Sequence, residues 1–130
     1  EAEWEIAVRM GTRTAFGFGS DISLLDRFGW YNENSARRVR PGKMLRPGMN
    51  GLHDMHGNLA EWVHDWYMDY DQLESSEAPD LSDRALRSVR GGSWNYTHLP
   101  CRSAGRAGYQ PADRDDFLGF RIALTLPIVQ

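Results

Sequence analysis

Residues 51–62 read Gly51-Leu52-His53-Asp54-Met55-His56-Gly57-Asn58-Leu59-Ala60-Glu61-Trp62, and the rest of the chain is best understood outward from them. Leu52-His53-Asp54-Met55 and Ala60-Glu61-Trp62-Val63 look like strand-forming pieces, and His56-Gly57-Asn58 between them has the chemistry of a turn. Downstream, Asp69 to Asp83 reads as an acidic surface loop. Arg87-Ser88-Val89-Arg90 then reads as a strand leading into Gly91-Gly92-Ser93-Trp94, and Leu118 to Leu124 alternates as a strand whose two faces differ. Upstream, residues 1–10 place Trp4 and Val8, with Ala2 and Ile6, at spacings a helix gathers on one broad face, and Gly11 ends the run. Between them, residues 12–50 carry turn signals (Gly17, Gly19, Gly29, Pro41-Gly42, Pro47-Gly48) around short aromatic pieces such as Ala15-Phe16-Gly17-Phe18. A helix first, with strands and long loops later, is an α+β arrangement.

The 130 residues are 41% apolar and 25% charged with a formal charge of −3, the composition of one globular domain, and no repeat, low-complexity tract or linker divides them. Fifteen bases against eighteen acids leave no surplus for neutralising phosphates, so nucleic acid is not an expected partner. No run approaches the roughly twenty apolar residues that span a bilayer, and Glu1-Ala2-Glu3-Trp4 has no signal-peptide character. Cys101 is the sole cysteine, which rules out an internal disulfide, an all-cysteine zinc site and a CxxC pair, and leaves the compartment open. Fourteen of the fifteen bases are Arg. Residues 51–83 hold nine acids and no Lys or Arg, whereas 84–130 hold seven Arg and three acids, so an internal Arg–acid network between these halves is expected.

Five ordered blocks carry a resemblance: Glu1-Ala2-Glu3-Trp4-Glu5, the 51–62 stretch, Arg90-Gly91-Gly92-Ser93-Trp94, Cys101-Arg102-Ser103-Ala104 and Leu118-Gly119-Phe120-Arg121. Their order resembles that of the formylglycine-generating enzyme, or sulfatase-modifying factor, family across essentially the whole chain. The resemblance implies a loop-rich variant of the C-type lectin fold. It also implies that residues 1–130 are the C-terminal portion of a single sulfatase-modifying-factor-like domain, whose N-terminal remainder, or a companion chain, would be a partner. Fold membership alone does not settle activity.

In the family, copper is held by two thiolates three and eight residues after the Ser of the GGS block, because soft Cu(I) favours thiolate sulfur. From Ser93 those positions are Tyr96 and Cys101. One thiolate is missing, and the residue before the motif glutamate, usually aromatic, is Ala60. Copper and formylglycine formation are therefore not expected. Relatives of the ergothioneine-pathway type bind iron through histidines of a helical domain that this sequence lacks. His53, His56, His64 and His98 here read as surface or loop histidines. If the chain were an enzyme, Cys101 and Ser93 would be its catalytic candidates, as an oxidoreductase using iron or copper and completed by the N-terminal part.

The resemblance also implies a calcium site in the 51–62 turn, at the positions of Asp54, Gly57, Leu59 and Glu61. Two carboxylates and two backbone carbonyls would suit the irregular oxygen coordination of Ca²⁺. Otherwise Asp54 and Glu61 cap turns and accept from Arg or backbone N–H groups.

Residues 95–118 combine Tyr, Asn, His and Asp with glycines and prolines, the composition of a recognition loop. This stretch resembles the variable region of diversity-generating retroelement proteins, a branch of the family that binds ligands and performs no chemistry. The expected function is a non-catalytic module binding an unknown protein or small ligand, with Tyr96, His98, Tyr109 and Phe117 as anchors. Finally, Phe120 and Ile122 share one face of the last strand, so Arg121 should point the other way, toward the acidic half or a loop carbonyl.

Overall fold

A computed structural model describes residues 1–69 and 85–124. The acidic loop expected at 69–83 falls, beyond Asp69, outside the described residues. Helix α1 spans Ala2–Arg9 and closes at Met10, a left-handed residue whose N–H donates to the Ile6 carbonyl. Its buried stripe is narrower than expected: Trp4 and Val8, one turn apart, face inward, while Ala2 and Ile6 are exposed. At about 100° per residue, Ile6 sits nearly opposite Trp4. A 3₁₀ helix at Ile22–Arg27, capped by the Asp21 carboxylate on the Ser23 N–H, turns Leu25 into the interior.

Among the described residues, four strands form one sheet: β1 (Ala60–Trp66), β2 (Arg87–Arg90), β3 (Arg106–Tyr109) and β4 (Leu118–Phe120), in the order β3-β2-β1-β4. β1 and β2 pair antiparallel through Trp62 and Val89, β2 and β3 antiparallel, and β1 and β4 parallel with Ala60 opposite Leu118. The expected strands at 60–63 and 87–90 are present, and the one expected over 118–124 is shorter, ending at Phe120, with residues 121–124 outside the sheet. The one expected at 52–55 is not, because Asp54 has φ of 59°, a left-handed conformation no strand accommodates. Instead the segment is pinned by its neighbours: the Lys43 N–H donates to Asp54 Oδ2 at 2.9 Å, and His53 Nδ1 meets the Leu45 carbonyl. β3 lacks an apolar alternation that would have announced it. Its Gly108 lets the backbone lie on Tyr67, whose ring would meet an added Cβ at 2.6 Å.

Two apolar clusters form the core. Trp4, Val8 and Met55 join Leu52 and Val63, fastening α1 to the sheet. Phe16, Leu25, Tyr31 and Cys101 form the second, among the irregular segments. The expected Arg–acid network is real but differently wired. Of the residues it was expected to join, Arg121 pairs with Glu61. Arg90, whose side chain is wholly buried, instead reaches α1: Nη1 donates to Glu1 and Nη2 to both Glu5, at 2.5 Å, and the Ser103 carbonyl. Its guanidinium also lies 5.2 Å from the Trp4 ring centre. Arg106 adds two hydrogen bonds to Glu1.

Phe120 and Ile122 do share a face, but it is the solvent face: Phe120, Ile122 and Leu124 are 77%, 85% and 80% exposed. Arg121, between them, points inward.

Candidate functional site

The turn after Asp54 is built from residues that tolerate unusual backbone angles: Gly57 at φ of 117° and Asn58 at 69°. Asn58 ties it to its surroundings, its N–H donating to the Trp30 carbonyl and its side chain exchanging two hydrogen bonds with the Arg40 backbone. This geometry brings Asp54 and Glu61 to one small cavity of about 170 Å³, shared with Asn58, Leu59, Phe120 and Arg121. Glu61 is buried and heavily engaged. Trp4 Nε1 donates to it at 2.7 Å, and Arg121 donates through Nε at 3.0 Å and Nη2 at 2.6 Å. Arg121 Nη2 also donates to the His53 carbonyl, so this guanidinium ties the 53–61 turn to the last strand. Asp54 differs: one oxygen accepts from Lys43, whereas Oδ1 is buried with no hydrogen-bond partner. Among the described residues, no group of three or more His, Cys, Asp or Glu is arranged around a common metal position. A cation in this turn would thus depend on backbone carbonyls as well as carboxylates.

Removing the guanidinium of Arg121 would leave Glu61 a buried, unpaired carboxylate. Arg121→Met is expected to cost about 2 kcal/mol, read from urea unfolding midpoints at constant slope. A change within experimental scatter would show that the pair is not holding the turn.

His56 lies in a loop, as expected, but is buried rather than at the surface. The Gly17 N–H donates to Nε2, which fixes Nδ1 as the protonated nitrogen donating to the Cys101 carbonyl at 2.9 Å. Burial pushes its pKa down, against the opposing effect of the Cys101 bond, so the ring stays neutral. It is a framework residue, with its edge against Phe16 and Phe18. Its place beside a turn glycine gave no sequence signal of burial.

Cys101 is likewise inside the core, and burial pushes its thiol up to about 12, against a weaker opposing effect from the Ser93 backbone. A protonated, enclosed thiol is a poor nucleophile and a poor metal ligand. Ser93 is also fully buried, its hydroxyl donating to Asn95 Oδ1 at 2.6 Å. Tyr96, at the other copper position, hydrogen-bonds its hydroxyl to that of Tyr109. Burial, then the Tyr109 hydroxyl, raise its pKa, so it presents a phenol and no anion. These residues do not fit a two-thiolate copper centre.

Of the four proposed anchors, three come together. The Tyr96 and Phe117 rings lie 5.5 Å apart and those of Tyr109 and Phe117 5.6 Å, with Trp62 edge-on to Tyr109. All four anchors are half-buried. Among the described residues, His98 has no ring contact with the other three; its backbone carbonyl accepts from the Cys101 N–H. The cluster is framed by β1, β3 and the segment entering β4, where the Ala60 N–H donates to the Phe117 carbonyl. Trp62 belongs to the same patch and was not singled out as an anchor, since in sequence it reads only as part of a strand.

A loop-rich sheet packed against a short helix, a locked His-Gly-Asn turn and an inward arginine after Gly119-Phe120 define a recognisable class. The sulfatase-modifying factor enzyme 1-like domain family matches residues 1–126, and the chain belongs to that family. Over 95% of its length it is 34% identical to serine/threonine-protein kinase Pkn1 of Chlamydia trachomatis, covering 20% of that protein. It is 30% identical to the formylglycine-generating enzyme of Streptomyces coelicolor, again over 95% of this chain and 45% of the relative. Among solved structures, Treponema denticola variable protein 1 superposes with a TM-score of 0.79 at 31% identity, over 92% of this chain and 44% of that one. The fold is therefore the formylglycine-generating-enzyme-like variant of the C-type lectin fold. The chain spans less than half the length of each of these three proteins.

Proposed function

We propose that this chain is a non-catalytic binding module of the family, and that its contact surface is the aromatic patch held by residues 95–118. The observation that carries this reading is Tyr96. At a position where a copper-binding relative needs a thiolate, a phenol packs against Tyr109 and Phe117 as part of a half-buried aromatic cluster. Such rings offer much contact area at low entropic cost; Tyr96 and Phe117 sit on loops, and Tyr109 is held at the end of β3. Similarity to a protein named for its variability supports treating 95–118 as the adaptable part. With copper and a peptide carrying the sulfatase CxPxR sequence, the peptide thiol is expected to remain unchanged by mass spectrometry. Conversion to the aldehyde would overturn the non-catalytic reading. For binding, a peptide selected from a displayed library against the wild-type chain should lose about 1 to 2 kcal/mol on Tyr109→Ala or Phe117→Ala, with the thermal midpoint nearly kept.

Calcium is proposed for the turn, with Asp54 and Glu61 and the carbonyls of Gly57 and Leu59 as its holders. The buried, unpartnered Oδ1 of Asp54 supports this, being an anionic oxygen with no donor. Glu61 has three of its acceptor positions taken by Trp4 and Arg121, so its share would be a single oxygen lone pair. Ca²⁺ would neutralise Asp54 and brace the turn. Chelation with EDTA is then expected to lower the thermal midpoint of the wild type and not that of Asp54→Ala, since a ligand of the native state stabilises by mass action. A melt indifferent to EDTA would leave the two carboxylates as turn-stabilising groups alone.

A partner polypeptide is proposed for the apolar face of β4, either a further part of the same domain or a companion chain. Phe120 at the end of this edge strand, and Ile122 and Leu124 just beyond it, are exposed to solvent, and the relatives are more than twice as long. Exposed apolar stripes on sheet edges are otherwise uncommon in folded proteins.

A further inference from the structure

A second cavity, away from residues 95–118, has the make-up of a small-molecule site. It measures about 420 Å³ and is walled by Val8, Phe18, Phe28, Leu52 and Met55, with Met49 beside them 83% exposed. Cavities of this size and apolar character are typical of pockets for compact ligands. Its aromatic wall is rigid. Phe18 is stacked between Phe16 at 4.9 Å and Phe28 at 4.4 Å, with both pairs within 10° of parallel, and the edge of His56 closes on Phe18. The backbone behind that wall is equally fixed: Gly17 and Gly29 lie so close to the carbonyls of Val8 and His56 that an added Cβ would sit 2.2 and 1.7 Å from them. Met49, long and unbranched, can adapt to what enters.

The polar groups lining the cavity decide what it would take. His56 has both ring nitrogens engaged, and Asn50 uses its amide on the Ala7 carbonyl and its oxygen on the Leu52 N–H. The hydroxyls of Thr12 and Thr14 donate to backbone carbonyls. Asp54 gives one oxygen to Lys43, and its other oxygen is sealed from solvent. Arg46 stands apart. Its backbone N–H is anchored on the Arg27 carbonyl, yet among the described residues its exposed guanidinium has no hydrogen bond or ion pair.

From a rigid apolar wall beside one uncommitted guanidinium, we propose that this cavity binds a small carboxylic acid with an aromatic body, the ring against Phe18 and Phe28 and the carboxylate on Arg46. A guanidinium fork matches a carboxylate with two parallel hydrogen bonds, which a neutral alcohol cannot reproduce. The site is independent of the aromatic patch assigned to partner binding and stands whether or not that assignment does.

The test is a titration of the 130-residue chain followed by amide and methionine-methyl NMR, using 3-phenylpropionate and, as its neutral counterpart, 3-phenylpropanol. The acid should shift resonances of residues 17–19 and 48–56, including the methyls of Met49 and Met55. It should bind about tenfold or more tightly than the alcohol. Arg46→Gln should bring the acid down to the affinity of the alcohol while leaving the alcohol unchanged. Met49→Glu, at an exposed position that leaves the fold alone, should weaken the acid more than the alcohol. No shifts on titration, shifts confined to other residues, equal affinity for acid and alcohol, or full acid affinity in Arg46→Gln would each overturn the proposal.

Discussion

Arg90→Met should lower the free energy of unfolding by about 3 kcal/mol or more, the largest loss expected from any single charged side chain here. The size follows from its position. Arg90 is fully enclosed, and its guanidinium is shared among Glu1, Glu5, the Ser103 carbonyl and the face of Trp4. Methionine keeps much of the volume but removes every donor, so Glu5 and the Ser103 carbonyl lose partners while α1 loses its main tie to β2. Glu5 is partly exposed and retains Arg9, which moderates the loss. Chemical denaturation at constant slope reads the effect directly. A loss below about 1 kcal/mol would place Arg90 with ordinary surface ion pairs and contradict its burial.

Gly57→Ala should be nearly as damaging, at about 3 kcal/mol, for a reason that involves no charge. With φ at 117°, the residue occupies backbone space that L side chains rarely enter, and an added Cβ would stand 2.1 Å from the Trp30 carbonyl. That carbonyl accepts from the neighbouring Asn58 N–H, so the chain cannot back away without breaking the bond that closes the turn. The variant should lower the thermal midpoint and, if calcium occupies the turn, abolish the response to EDTA as well. Retention of the wild-type midpoint would mean that the turn relaxes freely.

What was legible in the sequence tracks the kind of signal each element leaves. β1 is signalled by Ala60-Glu61-Trp62-Val63 after the His56-Gly57-Asn58 turn, β2 by a short stretch leading into Gly91-Gly92, and β4 by alternation from Leu118, and the order of the 51–62, 90–94 and 118–121 blocks points to the family across the whole chain. β3 contains Arg106 and Gly108, is held mainly by pairing with β2, and has no pattern of its own. The stretch 52–55 looks like a strand because Leu52 and Met55 are apolar. Its conformation is decided by long-range bonds to Lys43 and Leu45, which no local pattern encodes.

That Arg121 opposes Phe120 and Ile122 was legible from alternation, but which of the two sides faces solvent was not. Alternation tells which residues share a face and leaves open which face is wet. In the candidate site, Tyr96, Tyr109 and Phe117 were singled out by composition and do meet in space, whereas His98 was included for its type and lies apart from their rings. Trp62 joins them only because β1 passes beneath, a consequence of topology.

The ion pairs of α1 also bear on how the chain acquires its structure. Glu1 closes on Arg106 across 105 residues and on Arg90 across 89, so the helix is clasped by residues far from it in sequence. An eight-residue helix has little stability by itself in water; its apolar and Glu61 contacts come with residues 52–63, and its ties to Arg90 and Arg106 come with β2 and β3. Trp4 and Val8 are covered by Leu52, Met55 and Val63, so the apolar partners of α1 too lie far along the sequence. Contacts of such long sequence separation slow folding by the entropy of closing the intervening loop. Helix docking is expected to be among the late events of folding.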